Sequence, residues 1–392
     1  MNRQRVRVAA LLAGLLPLGD GSGAEGSTAA AGLEALDYAF RFATAIESDA
    51  KDRGRAQAAV AVDLATIGAV DAAVALADRI AGWHRGTAYA DIAAACARLG
   101  RGGTARELLA RAEEVRAGVE GWYGPRIRAH VAQALALLGD LEQSERIAQD
   151  LAAGDRQYVG RSVASIAAGR AARGDFDAAM AALRGLDENV DFDVSWWRTV
   201  GYATVARETR LPPEQRARAI EAAHRSASGI SGWKRAEALE SVAEVQRELG
   251  KPRSALASLR AAQAIVVAQP DSLPVKAPLL SNLSRAFARL GAAGRARRLL
   301  AAAEQVVPLA LVVDRPGVYA NLASSYLVLE DEPQAWRAYD TAVRAAEDLV
   351  NARPRALAVV SICRSMGRSG VELKPDTRRR LDSLFDGLGD PW

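Results

Sequence analysis

Trp83 to Ala112, WHRGTAYADIAAACARLGRGGTARELLARA, reads as two helices joined at Gly100. Glycine at such a join can take the left-handed conformation that ends a helix. Two antiparallel helices linked by so short a turn approach to about 8–10 Å, and their closest point accepts only small side chains. Ala93, seven residues before Gly100, and Ala105, five after it, are placed to meet there. Leucine at either position is expected to overpack the crossing by about 1–3 kcal/mol.

The same landmarks recur along the chain. Counted as turns, they fall at Gly68, Gly100, Gly139, Gly174, a Pro213 equivalent, Gly250, Gly291, a Glu330 equivalent and Gly367, spaced 32 to 41 residues apart. Seven positions before the turn stand Ala61, Ala93, Ala132, Ala167, Ala206, Ala243, Ser284 and Ala323, each preceded by an apolar residue. Five after it stand Ala73, Ala105, Ser144, Ala179, Ala255, Ala296 and Ala335. Asp71, Asp140 and Asp175 lie just beyond their turns, suited to start the second helix.

This pattern resembles the tetratricopeptide repeat: a small residue in the first helix (A), glycine at the turn and alanines in the second (B). A further hallmark alanine, twelve after the turn, is present as Ala112, Ala262, Ala303 and Ala342. The aromatic residue expected four before the turn is found only as Phe287 and Tyr326. The resemblance covers roughly residues 51 to 368, and the repeats are longer than the usual 34. It implies an all-α fold, an α-α superhelix of eight to nine antiparallel helical hairpins over 51–368.

Trp83, Trp122, Trp196 and Trp233 each precede their turn by 17 residues, about a helical turn upstream of the usual start of helix A. Two positions later comes a cation in six repeats: Arg53, Arg85, Arg198, Arg235, Lys276 and Arg315. A cation at a helix N-terminus opposes the macrodipole. Two readings follow: the cation caps the preceding helix B while the tryptophan packs over the junction, or the cations form a basic ridge for an acidic ligand.

The flanks differ from the array. Residues 1–24 carry a basic start (Arg3, Arg5, Arg7), an apolar run from Val8 to Leu18 and small residues Ser22 and Ala24, the layout of a cleaved signal peptide. The run is too short to span a bilayer. Residues 25–50 read as a linker, 25–32, and an N-terminal capping helix; residues 369–392 read as a C-terminal capping helix and tail with an apolar side at Leu381, Leu384, Phe385 and Leu388.

Of the 392 residues half are hydrophobic, a quarter charged and 5% aromatic, so a sizeable alanine-rich helical core can form. The net charge is +4, or +2 without residues 1–24, too balanced for a nucleic-acid partner. Cys96 and Cys363 are far apart in the array and are expected as buried small hydrophobes, not a disulfide.

The three histidines, His84, His130 and His224, form no helical metal motif, and His130 is expected to be a satisfied, partly buried side chain. Neither a metal nor a cofactor is expected. The resemblance implies a peptide-end clamp at Asn282, Arg285, Arg289 and Asn321, on the inner face of helix A; Asn282 and Asn321 both stand nine before their turns. The alternative is ordinary polar residues on a solvated face. Glu237, Glu240, Glu244 and Glu248 form an acidic stripe that solvates a face or pairs with a basic partner.

Together these features point to a non-enzymatic scaffold, periplasmic or secreted, with a peptide or protein partner on the concave face and no membrane span. The alternatives are an α/α-toroid enzyme acting on polysaccharide and a cytoplasmic regulatory repeat protein.

Overall fold

The structure, a computed structural model, describes residues 25–154, 158–186 and 194–389, with side chains from residue 32. The proposed signal peptide lies outside the described residues. In chain order the helices are α1 Glu25–Thr44, α2 Ala50–Thr66, α3 Val70–Asp78, α4 Trp83–Arg98, α5 Gly102–Ala117, α6 Tyr123–Leu138, α7 Leu141–Gly154, α8 Val159–Ala172, α9 Phe176–Arg184 and α10 Val194–Arg207. They continue as α11 Pro213–Ser228, α12 Gly232–Glu248, α13 Pro252–Val267, α14 Lys276–Arg289, α15 Ala293–Val306, α16 Arg315–Val328, α17 Glu332–Glu347, α18 Ala352–Arg368 and α19 Pro375–Asp386. The chain is an all-α helical repeat protein, and no strand occurs among the described residues.

The even-numbered helices from α2 to α18 are the A helices; α3 to α17 are the B helices. Their turns share one backbone device. The N–H just after the turn residue donates to the carbonyl four before it, at 2.8–3.0 Å, in eight repeats: Ala69 to Leu64, Arg101 to Cys96, Asp140 to Leu135, Asp175 to Arg170, Lys251 to Gln246, Ala292 to Phe287, Asp331 to Tyr326 and Val371 to Met366. This is a Schellman closure, and it requires a left-handed residue at the turn. Glycine supplies it everywhere except Glu330, which holds φ 58°.

Two turns differ from the sequence reading. The last left-handed residue is Gly370, φ 62°, whereas Gly367 lies inside α18. Counting from Gly370 puts buried Cys363 seven before the turn, so the ninth repeat keeps a small residue there. At the Pro213 equivalent no residue is left-handed; α10 ends at Arg207 and Pro213 opens α11, with a fixed φ suited to a first helical position.

The two small-residue registers do face each other. All eight residues at the first register and all seven at the second are at most 1% exposed. Where one is serine, its hydroxyl crosses to the opposite register: Ser144 Oγ donates to the Ala132 carbonyl at 2.7 Å, and Ser284 Oγ to that of Ala296 at 2.8 Å. Of the three aspartates beyond turns, only Asp175 caps, accepting from the Ala178 N–H at 3.2 Å. Asp71 lies two residues too far in, after an Ala69 N-cap, and Asp140 pairs instead with Arg106 at 3.7 Å.

Three of the six junction cations cap backbone, whereas Arg85 and Arg235 each keep a buried Nε without a hydrogen-bond partner. Arg53 donates to the Ile46 carbonyl at 2.8 Å; Arg198 reaches those of Leu183, Arg184 and Leu186; Arg315 reaches Pro308 and Ala310 at 2.7 and 3.2 Å. Arg355, in the same place when counted from Gly370, donates to Leu349 and Val350 at 2.9 and 3.0 Å. These carbonyls end or follow the preceding helix and lack helical partners. Lys276 pairs with Asp271 at 2.6 Å instead. The tryptophans do not act alike: Trp83 and Trp196 open or enter helix A, Trp196 is buried, and Trp122 is 42% exposed beside Tyr123.

The chain divides into two compact units. Of the described residues one comprises 25–88, 271–281 and 300–389, and in it α1 meets α18 and α19. Helix α1 packs along α18 and against α2, and α17 contacts α19. Gly32 and Gly367 form the α1–α18 crossing, where a Cβ on Gly32 would stand 2.3 Å from the Gly367 carbonyl oxygen. Tyr38 donates to Asp382 at 2.8 Å, Arg378 grips Glu34 with two bonds at 2.5 and 2.7 Å, and Phe42 meets Phe385 edge-on. Arg353 pairs with Asp49 and Asp52, and Arg364 holds Asp63 bidentately. Within this unit α1 packs along α18 much as a helix B packs along its helix A. Residues 25–32 belong to α1 and form no linker, because the alanines at 29–31 extend a helix already anchored by packing at 33–44.

The second unit comprises 89–270 and 282–299. There α6–α7, α8–α9, α10–α11 and α12–α13 are hairpins, and α6, α8, α10 and α12 pack successively. Gly169 admits the α6 backbone so closely that a Cβ would stand 2.8 Å from the Ala136 carbonyl oxygen.

Candidate functional site

The A helices carry a polar row. Nine residues before the turn stand Asp91, His130, Ser165, Thr204, Ser241, Asn282, Asn321 and, counted from Gly370, Ser361; only the α2 repeat breaks the row, with Ala59. Its neighbours seven and eight before the turn are the buried small and apolar residues of the hairpin core. A position two residues from a core register lies about 200° round the helix, away from helix B. Geometry therefore sets the row apart from the packing positions.

In the second unit the row begins with a chain of hydrogen bonds across three A helices. His130 Nδ1 lies 2.6 Å from Asp91 Oδ1, and Arg161 Nη1 lies 2.7 Å from His130 Nε2. A guanidinium can only donate, so Nε2 accepts and the ring proton sits on Nδ1 and donates to Asp91. Burial and the Arg161 charge hold His130 below the usual histidine range, hence neutral. Burial pushes the Asp91 carboxyl up, but the His130 hydrogen bond and the Arg161 and Arg98 charges outweigh it and hold it low. His130 is thus the satisfied, buried histidine the sequence predicts. It fills both nitrogens within the protein and offers neither to a ligand.

Farther along, α12 faces α14. Arg289 donates to Glu244 at 3.2 Å, and Glu244 also accepts from Arg247 at 2.9 Å. Arg207 on α10 pairs with Glu248 at 2.6 Å. Burial pushes the Glu240 carboxyl up to about 7, with Arg285 and Arg289 opposing and Glu244 adding to the rise. Burial and the Glu240 charge push Glu237 to about 7. The stripe is thus only partly a solvated face: Glu244 and Glu248 pair with arginines of the same unit, and Glu237 and Glu240 are half-buried.

Three of the four sequence-predicted clamp residues belong to this region. Arg285 donates to Asn282 Oδ1 at 2.5 Å, one helical turn back, and both are half-buried. Arg289 is exposed and shared with Glu244. Asn321 belongs to the other unit, where its backbone and side-chain oxygens accept from Ser281 Oγ at 3.2 Å. There the A helices are joined by hydroxyls, Ser281 to Ser325 and Ser324 to Ser365, each at 2.7 Å. Sequence reasoning missed Asp91, Arg98, Arg126 and Arg161. The count that singled out Asn282 and Asn321 also holds Asp91 and His130, and Arg126 and Arg161 both stand thirteen before their turns.

Among the described residues no group of three or more histidine, cysteine or carboxylate side chains could hold a metal ion, and no helix is long and apolar enough to cross a membrane. Cys96 and Cys363 are buried free thiols, and burial pushes that of Cys363 up.

No protein-family model matches the chain, and no curated protein matches it. Among solved structures, Ton1535 from Thermococcus onnurineus NA1 aligns at 14% identity over 84% of this chain and 98% of its own, with a TM-score of 0.33. A circular tandem repeat protein, described as having a novel repeat topology and enhanced subunit contact surfaces, aligns at 15% identity over 93% and 96%, with a TM-score of 0.21.

Proposed function

We propose that this chain is a tetratricopeptide-like, non-enzymatic interaction scaffold whose A helices receive a peptide or protein partner. The observation that carries the reading is the polar row nine before the turn, filled in eight of nine repeats while the core registers beside it stay small or apolar. Packing against helix B does not call for a polar side chain there. In the second unit Asn282, Arg285 and Arg289 offer an amide and two guanidiniums beside Glu240 and Glu244. A partner carboxylate can take the outer donors of Arg289, which is the more exposed of the two. The leader-like residues 1–24 support work in the periplasm or outside the cell.

The test is affinity capture with purified chain, comparing Asn282→Ala/Arg285→Ala with a control pair on the exposed side of α15, Arg297→Ala/Arg298→Ala. The reading expects partner recovery to fall at least about tenfold for the first pair alone, the effect of losing about 1.4 kcal/mol. Equal recovery from both variants would sink it.

A further inference from the structure

In the second unit a cleft of about 290 Å³ opens where α11 meets the α12–α13 turn, and Gln246 of α12, Lys251 at the turn and Ser254 of α13 form one side of it. Its volume is near the lower end for small-molecule pockets, about 300–1,000 Å³. Two residues here break the packing pattern of the array. Gln246, four before the turn, is 7% exposed, where other repeats place Leu64, Leu135, Phe287 and Met366. Ser258, eight after the turn, is buried where others place Leu76, Leu108, Ile147 and Leu299. Ser258 Oγ donates to Gln246 Oε1 at 2.9 Å, which leaves the amide Nε2 as the end that faces the cleft. A buried amide whose N–H donors meet no acceptor among the described residues calls for one from a ligand.

The charges round the cleft point the same way. Arg225 of α11 and Lys251 both line it, and among the described residues neither has a carboxylate partner. Glu221 stands one turn before Arg225, the spacing and order that favour an ion pair, yet the two do not pair and both face the cleft. Helix α13 opens on Pro252, which has no N–H, and its N-cap Lys251 makes no side-chain bond. The N–H groups of Arg253 and Ser254 therefore lack a cap, and the start of this 16-residue helix favours negative charge.

We propose that this cleft binds a free amino dicarboxylate, an α-amino acid with an acidic side chain. Such a molecule carries two carboxylates and one ammonium, and the cleft answers with two cations and one carboxylate. Arg225 and Lys251 take the carboxylates, and Glu221 takes the ammonium. Gln246 Nε2, the Ser254 hydroxyl and the start of α13 add donors to the carboxylate oxygens, with His224 beside them. Buried Ile220 gives the short methylene chain an apolar wall. A phosphate dianion would use the same donors but leave Glu221 facing negative charge. The site stands apart from the partner-binding reading, since its ligand is a small molecule and none of its residues belongs to the polar row.

Calorimetric titration of the purified full chain at constant ionic strength tests the proposal, with L-aspartate, L-glutamate, glutarate and inorganic phosphate as separate probes. Saturable binding of L-aspartate or L-glutamate is expected. Glutarate, which lacks the ammonium, and phosphate should each bind at least about tenfold more weakly. Arg225 is exposed, so Arg225→Gln should keep the wild-type circular dichroism and weaken the amino acid at least about tenfold. Gln246→Leu, the residue type this register holds in other repeats, should also keep the fold and weaken binding. Absence of saturable binding by both amino acids, glutarate or phosphate binding as tightly as they do, or unchanged affinity in Arg225→Gln would each overturn it.

Discussion

Replacing Gly32 by alanine sets two effects of opposite sign against each other. Gly32 lies within α1, where alanine gains about 1 kcal/mol in helix propensity. If the α1–α18 crossing were loose, the variant would be more stable. The new Cβ, however, would stand 2.3 Å from the Gly367 carbonyl oxygen and 3.1 Å from its carbon. That oxygen belongs to helical backbone and cannot swing aside as a side chain can. An ordinary carbon–oxygen approach is about 3.3 Å, so the helices must part by about 1 Å. A gap of that size forfeits up to about half the dispersion energy of the atoms along it. Overpacking of this kind costs about 1–3 kcal/mol, and a backbone obstacle puts Gly32 at the upper end. The net expectation is a loss of about 2 kcal/mol. Urea unfolding of the full chain measures it, and amide exchange should quicken along α1. Gly103→Ala is the control: nothing lies within 4 Å of its Cβ position, so propensity alone should act and raise stability. A Gly32→Ala chain as stable as wild type would refute the close crossing.

Two further outcomes follow from single residues. Glu330 holds φ 58° at a turn where the other Schellman closures use glycine, so Glu330→Gly should stabilise by up to about 1 kcal/mol, the left-handed cost less the added chain entropy; a fall in the urea midpoint would contradict this. Glu237 and Glu240, which titrate near 4.3 when unfolded, keep their protons in the folded chain up to about pH 7. Between those values the folded state binds more protons, so their contribution is full below the window and is lost as pH rises through it. Glu240→Gln, neutral throughout, should therefore gain stability on wild type from about pH 5 to about pH 8; a gap in urea midpoints that stays constant over this range would dismiss the raised carboxyl.

What the sequence made legible was whatever the backbone separation dictates. Ala93 and Ala105 could be placed because two helices at a short turn leave room only for small side chains, and that demand recurs wherever the turn does. The weak aromatic signal four before the turn also has a cause. What repeats at that position is the carbonyl that accepts the Schellman bond, from Leu64 to Met366, and a carbonyl leaves the side chain free to vary. The ninth turn was misplaced at Gly367 because a glycine demanded by a helix crossing looks the same in sequence as one demanded by a turn.

The pairing of α1 with α18 left no local period to count. In the binding face, Arg285 and Arg289 could be placed on one side of α14, but their relation to Glu240 and Glu244 could not, since a stripe on one helix does not say which neighbour it faces. Asp91, His130 and Arg161 share a register with residues that were noticed, yet differ from them in chemistry. Position was legible there; identity of partner was not.

The meeting of α1 with α18 and α19 carries a consequence for biosynthesis. Its hydrogen bonds join residues 301 to 344 positions apart, as in Arg353 to Asp52 and Tyr38 to Asp382. At a translation rate of about 5–20 residues per second, α1 leaves the ribosome roughly 15 seconds to a minute before α18 exists to receive it. Until then Leu36 has no α18 and Phe42 no Phe385 to lie against. A helix made early is thus among the last to dock, and a chain truncated before α18 leaves it stranded.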